Sequence, residues 1–399
     1  MSYFILPKIA SLLDLNNLKL KLRNAKNENY EKNEGEIFIN YSVSKTLKEC
    51  KKDIHNCIEE WDNIKKITNP FEFIHTIIPD CKTSVSKKLP LSRSYFKMIE
   101  ICKTLDLTFS NKPSINSFHL AEGPGGFIEA LVDMRKNAKD SYYGMTLQSY
   151  ESSVPGWKKS SQFLEKYKDK VIIENGKDRM GNLYNPENFS YCHDKYANTM
   201  NVITGDGGFD FSNNYNLQED DAIRLIYTEV CYAIMLQKFH GHFILKMFDI
   251  FLKSSVDILY LLSHLYEDVY IFKPNTSRYA NSEKYIVCKD FRLINSHSIS
   301  RIFYNHLQEL NKHDDSKFIT EFFNKEYYTI YKNSIIEINT ILGQQQMENI
   351  NLTIVLIKQL KKKDKIETLK KQHINNATEW CKKYEIEYHD KITTNNIFL

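Results

Sequence analysis

The eight cysteines of this 399-residue chain are scattered, and no two form a Cys-x-x-Cys pair. A structural zinc site of the usual spacing is thereby excluded, and a chain of this length does not depend on a disulfide framework. No stretch approaches the ~18 consecutive apolar residues that a membrane-spanning helix requires. The opening Met1-Ser2-Tyr3-Phe4-Ile5-Leu6-Pro7-Lys8 has neither a basic start nor a long apolar segment, so it does not read as a signal peptide. A dominant charge is missing too. The 54 Lys and Arg against 50 Asp and Glu leave +4, which permits a polyanionic partner without demanding one. These absences describe a soluble, intracellular protein with reduced thiols. Apolar residues at 42% and aromatics at 13% supply material for a sizeable core.

Glycine is scarce as well, at 13 residues, yet three fall within Gly123-Pro124-Gly125-Gly126. The apolar run Phe118–Ala121 ahead of them reads as a buried strand. An amphipathic helix follows through Phe127, Ile128, Leu131, Val132 and Met134. Strand, glycine turn and helix bring main chain close to a ligand, because glycine has no Cβ to hold the ligand away. The dinucleotide fingerprint would need a third glycine where Ile128 stands, and no Gly-Lys-Ser/Thr follows to make a phosphate loop. The turn therefore suits a ligand other than NAD or ATP, the alternative being an ordinary connection with no ligand.

Three zones follow along the chain. Residues 1–85 form a polar N-terminal extension with one helix, where Leu47, Cys50, Ile54, Ile58, Trp61 and Ile64 recur between Ser44 and Pro70. Residues 86–295 alternate strand-like and helix-like segments, the pattern of a mostly parallel α/β sheet covered on both faces. The expected strands are Phe118–Ala121, Tyr142–Leu147, Lys170–Glu174, Asn201–Thr204, His242–Lys246, Val269–Phe272 and Lys284–Val287; helices fit near 90–104, 126–137, 217–238 and 253–266. The last two strands have only a loop between them and should pair antiparallel. Residues 296–399 read as a helical, basic extension in which Lys361, Lys362, Lys363, Lys365, Lys370 and Lys371 make a solvated face.

In such sheets ligands sit at the carboxyl ends of the strands. Asp206 follows one strand between glycines, Lys246 ends another, Glu283 stands at the mouth of the last, and Lys97 lies on the helix before the glycine turn. Two lysines and two carboxylates beside a ligand turn suit removal of a proton from a weakly acidic hydroxyl. A lysine serves as base when burial or a neighbouring cation lowers its pKa, and the second lysine is that neighbour. Any one of the four alone would read as a surface ion pair.

The set Lys97, Asp206, Lys246 and Glu283 resembles the K-D-K-E tetrad of the FtsJ-like S-adenosylmethionine-dependent RNA 2′-O-methyltransferases, and Gly123-Pro124-Gly125-Gly126-Phe127 resembles their methyl-donor loop. Further blocks are similar to the eukaryotic and viral mRNA cap 1 methyltransferases. They include Tyr143–Leu147, Asp206-Gly207-Gly208-Phe209, Asn216-Leu217-Gln218-Glu219, Lys246–Asp249, Lys273–Arg278 and Ala280–Lys289, within about residues 88–292.

The resemblance implies a Rossmann-like methyltransferase sheet, mostly parallel with the last strand antiparallel, and S-adenosyl-L-methionine as cofactor. Glu122, Gly123, Pro124, Gly125, Gly126, Phe127, Thr146, Asn182 and Asp206 would hold the donor. Thr146 and Asn182 depart from the acids that the family usually places there, and Glu122 either meets the donor's ammonium or sits at the following helix N-terminus. Lys246 would act as general base, Asp206 would orient it, and Lys97 and Glu283 would align the group. Asn216, Ser277 and Arg278 would bind substrate, the capped 5′ end of mRNA, with no metal. Other capping enzymes or the transcription machinery are the further partners so implied. The location would be the nucleus for a cellular protein, or the host cytoplasm or virion for one from a large DNA virus. The alternatives are the same chemistry on ribosomal or transfer RNA, and a catalytically silent RNA-binding subunit.

Overall fold

The computed structural model describes residues 3–24, 35–149, 154–208, 216–313, 317–323, 326–359 and 363–390. Phe209, Lys361 and Lys362, named above, lie outside the described residues. The chain begins with β1 (Tyr3–Ile5), β2 (Lys21–Asn24), α1 (Tyr41–Asp53) and α2 (Ile58–Thr68). It continues through α3 (Ser94–Thr104), β3 (Asn116–Leu120), α4 (Gly126–Arg135), β4 (Ser141–Met145), α5 (Ser161–Lys166), β5 (Val171–Ile173), α6 (Pro186–Tyr196) and β6 (Met200–Gly205). Next come α7 (Gln218–Leu236), β7 (Gln237–Met247), α8 (Lys253–Leu265), β8 (Tyr266–Phe272) and β9 (Lys284–Phe291). The last elements are α9 (His297–Asn311), β10 (Lys317–Glu321), α10 (Thr329–Lys358) and α11 (Lys363–Lys383).

The short apolar runs become parallel strands because both of their faces are covered. One sheet of eight strands has the order β1-β8-β9-β7-β6-β3-β4-β5. Strands β3 to β7 run parallel, and β9 is inserted antiparallel between β7 and β8. The sheet edge beside β8 comes from the N-terminal zone, since β1 pairs antiparallel with β8. One face carries α6, α7, α8 and α9, and the other carries α3, α4 and α11.

The expected single N-terminal helix is two, α1 and α2, joined by a 3-10 turn over Ile54–Cys57. Asn56 and Cys57, both weak helix formers, stand at the break. The apolar stripe survives it. Leu47, Ile54 and Trp61 are buried with Phe251 and with Ile350 of α10.

The C-terminal helix reaches the middle of the fold through one carboxylate. Glu100 of α3 is fully buried and accepts the main-chain N–H of Asn275 at 2.8 Å and of Thr276 at 3.1 Å, together with the Trp380 indole N–H at 3.2 Å.

Candidate active site

The parallel strands finish level with one another. Leu120 is in register with Met145 on one side and Gly205 on the other, and Gly205 with Leu245. The chain leaving each strand then turns into a common groove. The Asp206 N–H donates to the Leu120 carbonyl and the Glu122 N–H to the Met145 carbonyl.

The four tetrad residues meet there in a continuous row. Lys97 Nζ lies 2.7 Å from Glu283 and Lys246 Nζ 3.3 Å from Asp206, with side chains between 7% and 17% exposed. Tyr285 joins the two pairs. Its hydroxyl donates to Asp206 Oδ1 at 2.9 Å and accepts from Lys97 Nζ at 3.4 Å. Lys246 and Tyr285 are direct partners across β7 and β9, so their side chains share a face. Lys246 Nζ also donates to the Asp206 carbonyl at 2.6 Å. Sequence reasoning did not assign Tyr285. Its signal was its place in β9 directly across from Lys246 and two residues after Glu283.

The electrostatics of the row differ from the expectation in one respect. Burial pulls the Lys97 ammonium below its ordinary pKa, against the opposing pull of Glu283. Burial acts on Lys246 in the same direction, but Asp206 and Glu283 outweigh it and hold the ammonium above its ordinary value. Proximity of a second lysine was expected to lower Lys246; instead the nearest groups to its Nζ are a carboxylate and a carbonyl. Burial would raise Glu283, yet Lys97, Lys246 and Arg93 hold its carboxylate well below the usual range.

The donor side of the groove is built on main chain. Gly125 has φ +107°, a conformation open to glycine, and it caps α4. The first N–H groups of that helix need acceptors. Glu122 supplies one, its Oε1 accepting from Phe127 at 2.7 Å and Ile128 at 3.3 Å. Of the two roles open to Glu122, the helix N-terminus is the one seen. Burial and the nearby Asp206 push its carboxyl well above the usual range.

Thr146 and Asn182 lie on two neighbouring loops at the same end of the sheet. Their loops run side by side, with the Gln148 N–H donating to the Met180 carbonyl at 2.7 Å. The Asn182 side-chain oxygen accepts from the Tyr184 N–H at 3.0 Å. Leu147 and Met180, on the same two loops, are 42% and 45% exposed. Two exposed apolar side chains next to polar neighbours suit a flat heteroaromatic ring with a polar edge. Neither residue was singled out from sequence.

The expected substrate residues separate. Ser277 and Arg278 both have partners within the protein. Ser277 is fully buried, its hydroxyl donating to Asn281 Oδ1 at 3.2 Å. Arg278 is clamped on buried Glu72 by two bonds of 2.9 and 2.6 Å. Burial would raise Glu72, but the guanidinium brings its carboxyl down to about 2. Ser277 thus lies inside the protein, and the part-exposed Arg278 guanidinium is held by Glu72.

Asn216, in contrast, lines a small cleft with Lys48, Lys51, Glu219, Asp220 and Phe251. The cleft adjoins the tetrad: Ser282 Oγ, next to Glu283, donates to Gln218 Oε1 at 2.6 Å. Burial pushes Glu219 up to about 7 and Asp220 up to about 6.

The FtsJ-like methyltransferase family model matches residues 90–291, half of the chain. The cap-specific mRNA (nucleoside-2′-O-)-methyltransferase 2 of Drosophila melanogaster is 30% identical over 54% of this chain and 33% of its own length. The cap-specific mRNA (nucleoside-2′-O-)-methyltransferase 1 of Homo sapiens is 32% identical over 59% of this chain and 29% of its own length. The chain thus spans about a third of the length of these curated relatives. Among solved structures, a putative ribosomal RNA methyltransferase from Plasmodium falciparum covers 50% of this chain at 18% identity, with 98% of its own length matched and a TM-score of 0.36. The family match opens just before α3 and closes at the end of β9, so it takes in every element that carries the tetrad, and this chain belongs to the FtsJ-like methyltransferases.

Proposed function

We propose that this protein is an S-adenosylmethionine-dependent ribose 2′-O-methyltransferase acting on the first transcribed nucleotide of capped mRNA, converting cap 0 to cap 1. The observation that carries the reading is the unbroken row Glu283–Lys97–Tyr285–Asp206–Lys246 beside the glycine turn.

The donor would lie against the glycine turn and the two loops beside it. Gly123, Pro124, Gly125, Gly126 and Phe127 would hold its methionine part, Thr146 its ribose, and Asn182 with Leu147 and Met180 its adenine. When bound, S-adenosylmethionine supplies an electrophilic methyl on a sulfonium, whose positive charge near Asp206 favours the neutral form of Lys246. Lys246 Nζ then takes the proton from the ribose 2′-oxygen as that oxygen becomes the nucleophile. Asp206 fixes the amine through both its carboxylate and its carbonyl. Lys97, Tyr285 and Glu283 hold Asp206 in place, and such alignment contributes on the order of several kcal/mol to a rate.

Cap selectivity is supported by the names of the relatives and by the adjoining cleft. In that cleft Asn216 would contact the cap or its adjacent nucleotides, since Glu219 already accepts from the Phe251 and Leu252 N–H groups and Asp220 pairs with Arg23. This reading places the protein where capped transcripts are made, with other capping enzymes or transcription machinery as partners. Among the described residues no helix is long and apolar enough to cross a membrane. The test is methyl transfer to capped and uncapped RNA of equal sequence, with the position of the new methyl mapped. Equal activity on both defeats the cap assignment; a methyl on a base defeats the ribose assignment.

A further inference from the structure

Beneath the turn that carries Asp206 lies a carboxyl group that the proposed mechanism does not use. Glu229, in the middle of α7, is fully buried among residues that are mostly apolar. Its Oε1 accepts the Gly207 N–H at 3.0 Å, and its Oε2 has no hydrogen-bond partner among the described residues. The turn rests directly on it. A Cβ placed at Gly205 would fall 2.8 Å from the Glu229 carboxyl, and one at Gly207 2.6 Å from Oε1. The glycines on either side of Asp206 therefore make room for this side chain as well as freeing the backbone.

The Gly207 N–H belongs to the same peptide group as the Asp206 carbonyl, and that carbonyl accepts from Lys246 Nζ at 2.6 Å. Lys246 and Glu229 thus grip opposite ends of one peptide, which polarises the chain of bonds between them. We propose that Glu229 is a positioning residue of the methyl-transfer site: through the Asp206–Gly207 peptide it sets where the Asp206 carboxylate and the Lys246 amine stand, while touching neither donor nor RNA. This rests on the methyl-transfer reading above.

The charged groups facing Glu229 are Lys246 from β7 and Asp206 from the end of β6, and those facing Lys246 are Asp206, Glu283 and Glu229. Burial pushes the Glu229 carboxyl up to about 8. Its neutral form leaves Lys246 without a further negative neighbour, and its ionisation would add one that holds the proton there.

Two variants separate geometry from charge. Glu229→Gln keeps the volume and the acceptor but never ionises; Glu229→Met keeps the volume and loses the acceptor. Methyl transfer to capped RNA is measured from about pH 6 to 10, with melting curves for each protein. Glu229→Gln should match the wild type at pH 7 within about threefold, then keep rising above pH 8 where the wild type flattens. Glu229→Met should lose tenfold or more in kcat at pH 7 with little change in donor KM. Superimposed pH profiles for wild type and Glu229→Gln, or full kcat in Glu229→Met, overturn the proposal. A second readout needs neither turnover nor the Met variant. NMR titration of the Lys246 amine should show it losing its proton at lower pH in Glu229→Gln than in the wild type, and an unmoved titration overturns the proposal. If the wild type transfers no methyl yet the titration moves, the enzymatic reading fails and the Glu229–Lys246 link stands.

Discussion

Removing a single oxygen from Tyr285 should slow methyl transfer without loosening the fold. Tyr285→Phe keeps the ring, which is fully buried and lies 5.9 Å from the Phe127 ring, so packing is preserved. What goes is the hydroxyl between Lys97 Nζ at 3.4 Å and Asp206 Oδ1 at 2.9 Å. A hydrogen bond to a charged group is worth roughly 1.5–3 kcal/mol net. If that energy serves to align Asp206 in the transition state, it converts at about 1.4 kcal/mol per tenfold into a loss of roughly 10- to 150-fold in kcat. Lys97 keeps Glu283 and Lys246 keeps the Asp206 carbonyl, which sets the upper bound. The assay is methyl transfer at saturating donor and capped RNA, with a melting curve to show the variant is folded. A kcat within twofold of wild type in a folded variant would refute the idea that the two ion pairs act as one aligned row. A change confined to the donor KM would mean that Tyr285 only shapes the donor groove.

Lys246→Ala should lower turnover by at least ~100-fold, the low end of general-base catalysis, while donor binding by calorimetry stays within about threefold. Because Asp206 and Glu283 hold the Lys246 ammonium above its ordinary value, the neutral amine is a minor form near pH 7; kcat/KM should therefore climb between about pH 6 and 8, and a flat profile would argue for another base. Arg278→Ala strands the buried Glu72 carboxylate and should cost about 3–5 kcal/mol in urea denaturation at pH 7. The Glu72 carboxyl sits at about 2 in the fold against an ordinary 4.5, so its stabilisation is complete above about pH 4.5 and is lost as the pH falls toward 2. The deficit of Arg278→Ala should accordingly be smaller at pH 3 than at pH 7; an equal deficit would show that lost packing, not charge, dominates. Trp380→Phe removes one donor from buried Glu100 and should cost about 1–3 kcal/mol by denaturant melt, whereas an unchanged midpoint would mean that α11 is not anchored there.

The parallel strands were legible because each is a short apolar run between turn residues, and their ends then named the tetrad. The strands that escaped notice are of another kind. β2 reads Lys-Leu-Arg-Asn, and β1 and β10 are three and five residues long. None is long enough to show a period of two over its neighbours. Helix α6 was missed because its buried residues, among them Phe189, Cys192 and Tyr196, are interleaved with Asn, His and Ser. Tyr285 was hidden by its company, since a tyrosine in an apolar strand reads as core. The ion pair of Arg278 was hidden because its partner Glu72 lies 206 residues away, and no local pattern records such a pair. The direction for Lys246 depended on Asp206 and Glu283 outweighing its burial, a balance of distances that residue identities do not reveal.

The indole of Trp380 on Glu100 has a bearing on when this protein becomes competent. Glu100 sits one turn beyond Lys97 and also holds the loop that leads to Glu283, so it tethers both members of one tetrad pair. The helix that completes its coordination follows β9 in the chain, so it leaves the ribosome after every strand of the tetrad. A nascent chain that has already emerged through β9 owns all the reacting groups and still lacks this final brace. Docking of α11, in addition to closure of the sheet, is then what completes the hold on Glu100.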